Sequence, residues 1–394
     1  MSQQARHRWE DDVKVLILAG VAPSTVFSHV PLANALRNAG HQVMMSVSID
    51  QMIPTITEVG QAAVPVADPT KDARQIIAEG GLAFVPDKPL ERERMAGRWY
   101  AHMEYVTMDN LLALAEDWRP DVVIGGESCY SAPLLAQHLD IPYVRHGWDI
   151  HDARLMDEGA EEQLHDQLAE LGLDGLPEPD LTIDITPPSL RPPGVAPAQM
   201  MRWIPGNAQR RLEPWMYKKG AETRILVTLG TGVASYGQFD FLQSVVENIA
   251  TLDVEVVVAV GDDAVPTMRE RLSDNVHLGW IPLDVVAPTC DVIVHQTGGS
   301  TMMTALSFGV PQVLIPDTAM FRTAEMARRL AEAGAAVVLT PEEAGSEVIA
   351  KVCQEIITNP SYTEAATGLA AEIAALPLPD EVARRVEWLV HKTS

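Results

Sequence analysis

Residues 13–20 read VKVLILAG, a continuous β-branched and leucine run closed by a glycine. A strand with water on one face alternates apolar and polar residues, so a run without that alternation fits a parallel strand covered on both faces. Working outward, the loop VAPS leads into TVFSHVPLANALRNAG, where Val26, Val30, Leu32 and Leu36 recur at helical spacing and Gly40 supplies the stop. A second strand is expected near Gln42, which completes one βαβ unit. The same grammar returns at DVVIGG (121–126): a strand, a loop carrying Glu127, a helix through PLLAQHL and a strand at PYVRHG. From Pro187 to Lys219 the composition shifts to the proline-rich PPSLRPPGVAP and then to a basic, aromatic stretch, which marks a boundary. Beyond it, RILVTLGTG, VEVVVAVGDD, HLGWIP, CDVIVHQTGGS, PQVLIPD and AAVVLT are six further parallel-strand candidates. The expected fold is therefore α/β, with two facing Rossmann-like, doubly wound parallel-sheet domains. Residues 1–205 are expected to form the first, 206–222 the linker and 223–378 the second. Residues 379–394 are expected to form a helix whose Val382, Val386, Leu389 and Val390 pack back on the first domain.

Composition agrees with two domains and narrows the partners. The chain has 394 residues, 47% of them hydrophobic, and single cores stop growing near ~250–300 residues. A formal net charge of -25 repels phosphate backbones and anionic lipid, which disfavours nucleic-acid and membrane partners. Cys129, Cys290 and Cys353 are far apart and form no CxxC pair, which fits a reducing compartment and excludes a cysteine-based zinc site. The N-terminal segment lacks a signal-peptide pattern, so a cytoplasmic location is expected.

In open parallel sheets ligands bind beyond the carboxyl ends of the strands. The richest such loop is HQTGGSTMMTAL, His295 to Leu306, after the strand VIV and before a helix. Gly298 and Gly299 allow close backbone approach, the helix start favours an anion, and His295, Ser300 and Thr301 add donors, so a pyrophosphate fits. A ligand-free glycine turn with a Ser/Thr N-cap is the competing reading.

These residues resemble the inverting glycosyltransferases of family 1, especially the actinobacterial enzymes that attach deoxysugars to antibiotic aglycones. HQTGGST is similar to the bacterial His-His-Gly-Gly-x-Gly-Thr and plant His-Cys-Gly-Trp-Asn-Ser-Thr patterns, and GVPQVLIPD, HLGWIPLDVVAPTCDVIVHQ and MRWIPG match the bacterial members. The resemblance covers nearly the whole chain and implies the GT-B arrangement of the two domains. It implies that His295, Ser300 and Thr301 bind the donor diphosphate, that Trp280 lies against the pyrimidine with the Ile281 backbone at the base edge, and that Gly230 and Thr231 line the phosphates and sugar from the other side. For Trp280 a core role under a turn stays open. The implied co-substrate is a nucleotide sugar of the dTDP-deoxysugar type, with no other cofactor and no metal, and the implied partner is a small aglycone. A homodimer or a helper protein stays open as a further partner.

Two positions depart from that pattern. The histidine of the family Gly-His-x-x-Pro signature aligns with Thr25, which is no base near neutral pH and has a helix-capping role as its simplest reading. His29, one turn deeper, is a displaced-base candidate. Glu127 matches the acidic partner of the family dyad, with Gly126 as the competing match. In VRHGWDIHDAR, Trp148 matches a Trp-Gly-Pro-Asp pattern and places His151 at the aspartate position, with Asp149 and Asp152 beside it; a solvated loop is the alternative. Relatives lacking the histidine, several of which glycosylate aromatic carbons, lean on this acidic position, so C- or N-glycosylation enters the reading. The second departure is Met320 and Phe321 where members carry Asp-Gln to hold sugar hydroxyls, which favours a deoxygenated sugar. A shifted loop bringing Asp317 or Arg322 into that role is the alternative. Met95, Trp99, Met103, Tyr105 and Met108 form either an apolar acceptor wall or core. An impaired helper protein and an epimerase or glycogen-type transferase on the same fold stay open; a Rossmann dehydrogenase lacks its GxGxxG.

Overall fold

The computed structural model describes residues 12–150, 152–230, 233, 237–273, 276–317 and 321–393. In the first half, β1 (Lys14–Leu18) is followed by α1 (Pro23–Ala39), β2 (Gln42–Ser46), α2 (Pro89–Tyr105), β3 (Val122–Gly126), β4 (Tyr143–His146), α3 (Arg154–Gln163), β5 (Leu181–Asp184) and β6 (Gln199–Met200). These strands form one parallel sheet in the order β2-β1-β3-β4-β5-β6. In the second half come β7 (Arg224–Thr228), β8 (Glu255–Ala259), β9 (His277–Gly279), β10 (Val292–His295), α4 (Gly299–Ser307), β11 (Gln312–Leu314), α5 (Phe321–Glu332), β12 (Ala336–Val338) and, last, α6 (Pro379–Thr393). Their sheet, also parallel, runs β12-β11-β10-β7-β8-β9. The two doubly wound sheets make the GT-B architecture.

The opening sequence run behaves as its composition dictates. Val15 and Ile17 of β1 enter one apolar cluster while Leu16 and Leu18 enter another on the opposite face, and all four are buried. In β7, Ile225 and Val227 divide from Leu226 in the same way. Arg224, at the start of β7, is fully enclosed: its guanidinium meets both Glu255 carboxylate oxygens at 2.8 and 2.9 Å and the carbonyls of Trp215 and Lys218 at 2.7 and 3.0 Å. A buried charge persists only when its donors are answered, and here the answers fasten the linker to the second sheet.

Val382, Val386, Leu389 and Val390 of α6 are buried against α1 in a cluster that continues to Met302, Met303 and Leu306 of α4. The seam between the halves is therefore partly apolar, and α1 faces α4 across it. In the first half, α2 and α3 cross so closely that a Cβ at Gly97 would strike the Met156 carbonyl and one at Gly159 the Arg94 carbonyl. Among the described residues, no helix is long and apolar enough to cross a membrane.

Candidate functional site

Each sheet reverses its winding beside its first strand, and at the second reversal the loops after β7 and β10 part to open a crevice of about 250 Å³. Thr228, Gly230, Gln296, Gly298, Gly299, Ser300 and Thr301 line it together with Trp280 and Ile281 of the second domain, and Ala22, Pro23, Ser24 and Phe27 line it from the first. The cap of α4 is Gly298, which offers no side-chain hydrogen bond. The Ser/Thr N-cap of the competing reading is thereby corrected: Ser300 and Thr301 lie inside the first turn of α4. Thr297 sits at φ 67 with its hydroxyl shielded and without a partner among the described residues. A β-branched residue in the left-handed region is strained by roughly 1–3 kcal/mol, and such strain concentrates at ligand clamps. The Trp280 indole donates to the Ala208 carbonyl at 3.0 Å, which fixes the ring to the linker, and the Arg210 guanidinium lies 5.7 Å from its centroid.

His295 requires a correction. It is fully buried and is absent from the crevice wall. Nε2 lies 2.7 Å from the Gln312 side-chain oxygen, which only accepts, so Nε2 carries the proton; Nδ1 accepts the Thr297 N–H at 3.2 Å. Burial pushes the ring from 6.5 to about 4, against the opposing Gln312 bond. The imidazole is a neutral brace joining β10, β11 and the turn before α4, and both its nitrogens are engaged inside the protein.

Beside the crevice lies a smaller cavity of about 90 Å³ lined by Thr25, Tyr100, Ser128, Trp148 and Asp149, and it shares Ala22, Ser24, Gly299, Ser300 and Arg322 with the crevice. Thr25 stands in the third position of α1, its hydroxyl donating to the Ala22 carbonyl at 2.7 Å. His29 is the second correction. It is fully buried, Nδ1 lies 2.6 Å from the Thr25 carbonyl, its ring packs against His146 at 4.6 Å, and burial lowers it to about 4. It lines neither cavity, so a displaced-base role has no geometric support.

Glu127 follows β3 but is absent from the walls of both cavities; its carbonyl accepts from Arg145 at 2.8 Å. The acidic side chain on the small cavity is Asp149, whose Oδ2 lies 3.1 Å from Arg322 Nη1. The Arg322 N–H meets Glu93 Oε2 at 3.2 Å, so this residue of the second domain is held by two carboxylates of the first. Burial opposes the Arg322 charge, yet Asp149, with further help from Tyr100, Glu93 and Glu127, keeps the guanidinium above its ordinary range. Asp149 also lies directly under the start of α4: a Cβ on Gly299 would fall 2.6 Å from Asp149 Cβ and 2.7 Å from Oδ2. Asp152 turns away and pairs with Arg154 at 2.5 Å. His151, Thr231 and Met320, and the side chain of Phe321, lie outside the described residues. Of the apolar stripe, Met103 belongs to the core with Ile49 and Ile76, and Met108 and Tyr105 pack beside a neighbouring cluster. The residue of that helix that reaches the cavity is Tyr100, which apolar periodicity did not single out.

Comparison with known proteins bears on the family and the two-sheet fold. Residues 34–230 match the family described as Erythromycin biosynthesis protein CIII-like, N-terminal domain, and residues 243–389 match its C-terminal domain. The chain is 31% identical to the L-demethylnoviosyl transferase of Streptomyces niveus over 94% of this chain and 97% of that protein. It is 28% identical to the aclacinomycin-T 2-deoxy-L-fucose transferase of Streptomyces galilaeus over 96% of both. Among solved structures, the glycosyltransferase SsfS6 of Streptomyces sp. SF2575, complexed with thymidine diphosphate, superposes with a TM-score of 0.84 at 32% identity, covering 95% of this chain and 99% of that one. The spinosyn rhamnosyltransferase SpnG, complexed with spinosyn aglycone, gives 0.82 at 26% identity over 95% and 99%. With both halves matched in order, this chain belongs to the erythromycin biosynthesis protein CIII-like glycosyltransferases, the family 1, GT-B enzymes that transfer deoxysugars in antibiotic biosynthesis.

Proposed function

We propose that this chain transfers a deoxysugar from a thymidine diphosphate donor to a small aromatic acceptor, with inversion at the anomeric carbon and with Asp149 as the base. The observation that carries this reading is the shared wall: Gly299, Ser300 and Arg322 belong both to the donor crevice and to the cavity that holds Asp149. A sugar whose diphosphate rests on the start of α4 presents its anomeric carbon to that common wall. The acceptor attacks from the side of Asp149 and gives its proton to the carboxylate, the bond from the anomeric carbon to phosphate oxygen breaks, and its electron pair leaves with the diphosphate. The uncapped N–H groups of α4 receive the charge that develops there, an electrostatic device of the oxyanion-hole kind.

Thr25, where relatives carry histidine, has its hydroxyl committed to the Ala22 carbonyl. This favours acceptors with an acidic proton, a phenol or enol, whose anion attacks through oxygen or through the adjacent carbon; a nitrogen acceptor fits the same logic. The apolar side chains that the sequence places at 320 and 321 favour a sugar poor in hydroxyls. The test is incubation with thymidine diphosphate deoxysugars and a panel of phenolic and macrolide aglycones, with mass spectrometry for the glycoside. Asp149→Asn is expected to lower kcat by ~10²-fold or more while still binding thymidine diphosphate, and Thr25→Ala to keep most of the activity. The reverse pattern would remove Asp149 as the base.

A further inference from the structure

With His295 turned into the sheet, the polar side chain that the phosphate turn directs into the crevice is that of the next residue, Gln296. Its amide lies between the two lips of the switch point. Nε2 stands so near Gly230 that a Cβ there would collide with it, and 3.6 Å from the place of a Cβ on Gly298. Gly230 itself has φ 75, so backbone conformation and the amide both require glycine at that lip. At the other end of the amide, Oε1 is shielded from solvent and has no hydrogen-bond partner among the described residues. A buried amide end without an answer is costly, and a ligand that supplies the partner recovers the cost.

Resting on the nucleotide-sugar reading above, we infer that Gln296 is the side-chain ligand of the donor diphosphate: its amide N–H donates to a phosphate oxygen, and its carbonyl accepts a hydroxyl of the donor sugar. An amide carries no charge, so this contact is indifferent to pH where an imidazole would titrate. The sugar-facing carbonyl ties phosphate binding to sugar position with a single planar group.

The inference is tested by titrating thymidine diphosphate into the full-length protein by calorimetry at pH 6 and pH 8, with melting curves for each variant. Gln296→Ala is expected to bind about ten- to hundred-fold more weakly than wild type, the scale of a lost hydrogen bond to a charged group, with an equal loss at both pH values. Gln296→Glu should be weaker still, because its carboxylate faces the diphosphate. Gln296→His should gain affinity relative to wild type as pH falls, because a ring exposed to the crevice takes up a proton. If Gln296→Ala does not fold, Gln296→Asn, which withdraws the amide by one methylene, carries the same test. A loss below five-fold, or a glutamate variant that binds like wild type, overturns the inference and leaves the function reading standing. Wild-type protein that binds no thymidine diphosphate overturns both.

Discussion

Gly299→Ala perturbs the wall shared by the crevice and the cavity that holds Asp149. Gly299 opens α4 and needs no special backbone, since its φ is not in the left-handed region, so alanine is locally acceptable and gains a little helix propensity. Its Cβ, however, would stand 2.6 Å from Asp149 Cβ, where ordinary contact begins near 3.4 Å. Relief therefore requires a displacement of about 0.8 Å, and it falls on the Asp149 carboxylate or on closure of the halves. Misplacement of a reacting group by about 1 Å costs on the order of 10²-fold in rate. Steady-state transfer kinetics should show kcat reduced by roughly that factor. Overpacking against the buried Asp149 side chain should lower thermal stability by about 1–3 kcal/mol, and thymidine diphosphate affinity, which draws on backbone N–H groups that alanine retains, should stay within a few-fold. A kcat within three-fold of wild type would refute Asp149, placed against the start of α4, as the base.

Two other outcomes follow from the same geometry. Trp280→Ala should weaken thymidine diphosphate binding by about 1–3 kcal/mol, measured by calorimetry; unchanged affinity would mean that the base lies elsewhere. His29 and His295 are buried and neutral with rings lowered from 6.5 to about 4. Below pH 6.5 the unfolded chain takes up these protons and the folded chain does not, so stability falls as pH drops from about 6.5 to 4, by roughly 3 kcal/mol for each ring. Urea melts across that range would show a declining midpoint, and a flat midpoint would contradict the burial of neutral rings.

What the sequence disclosed was what local pattern can carry. The unalternating run at 13–20 already implied a strand covered on both faces, and Val15 and Leu16 indeed enter different clusters. Glycines after an apolar run marked the turn before α4 for the same reason. The side-chain directions at the carboxyl end of β10 were not legible: His295 and Gln296 are adjacent, and only the packing of β11 decides that the imidazole meets Gln312 while the amide meets the crevice. The small cavity was hidden for a different reason. Tyr100, Ser128, Asp149 and Arg322 are gathered from distant segments, and no periodicity links them. His29 shows the limit of helical spacing: one turn from Thr25 places it on the same side of α1, but under β3 and against His146.

A crystal structure of the protein with thymidine diphosphate bears most directly on the account. The prediction is a diphosphate within hydrogen-bond reach of the N–H groups at Gly299, Ser300 and Thr301, with the pyrimidine beside Trp280. Nucleotide bound at another place, with that helix start bare, would contradict it.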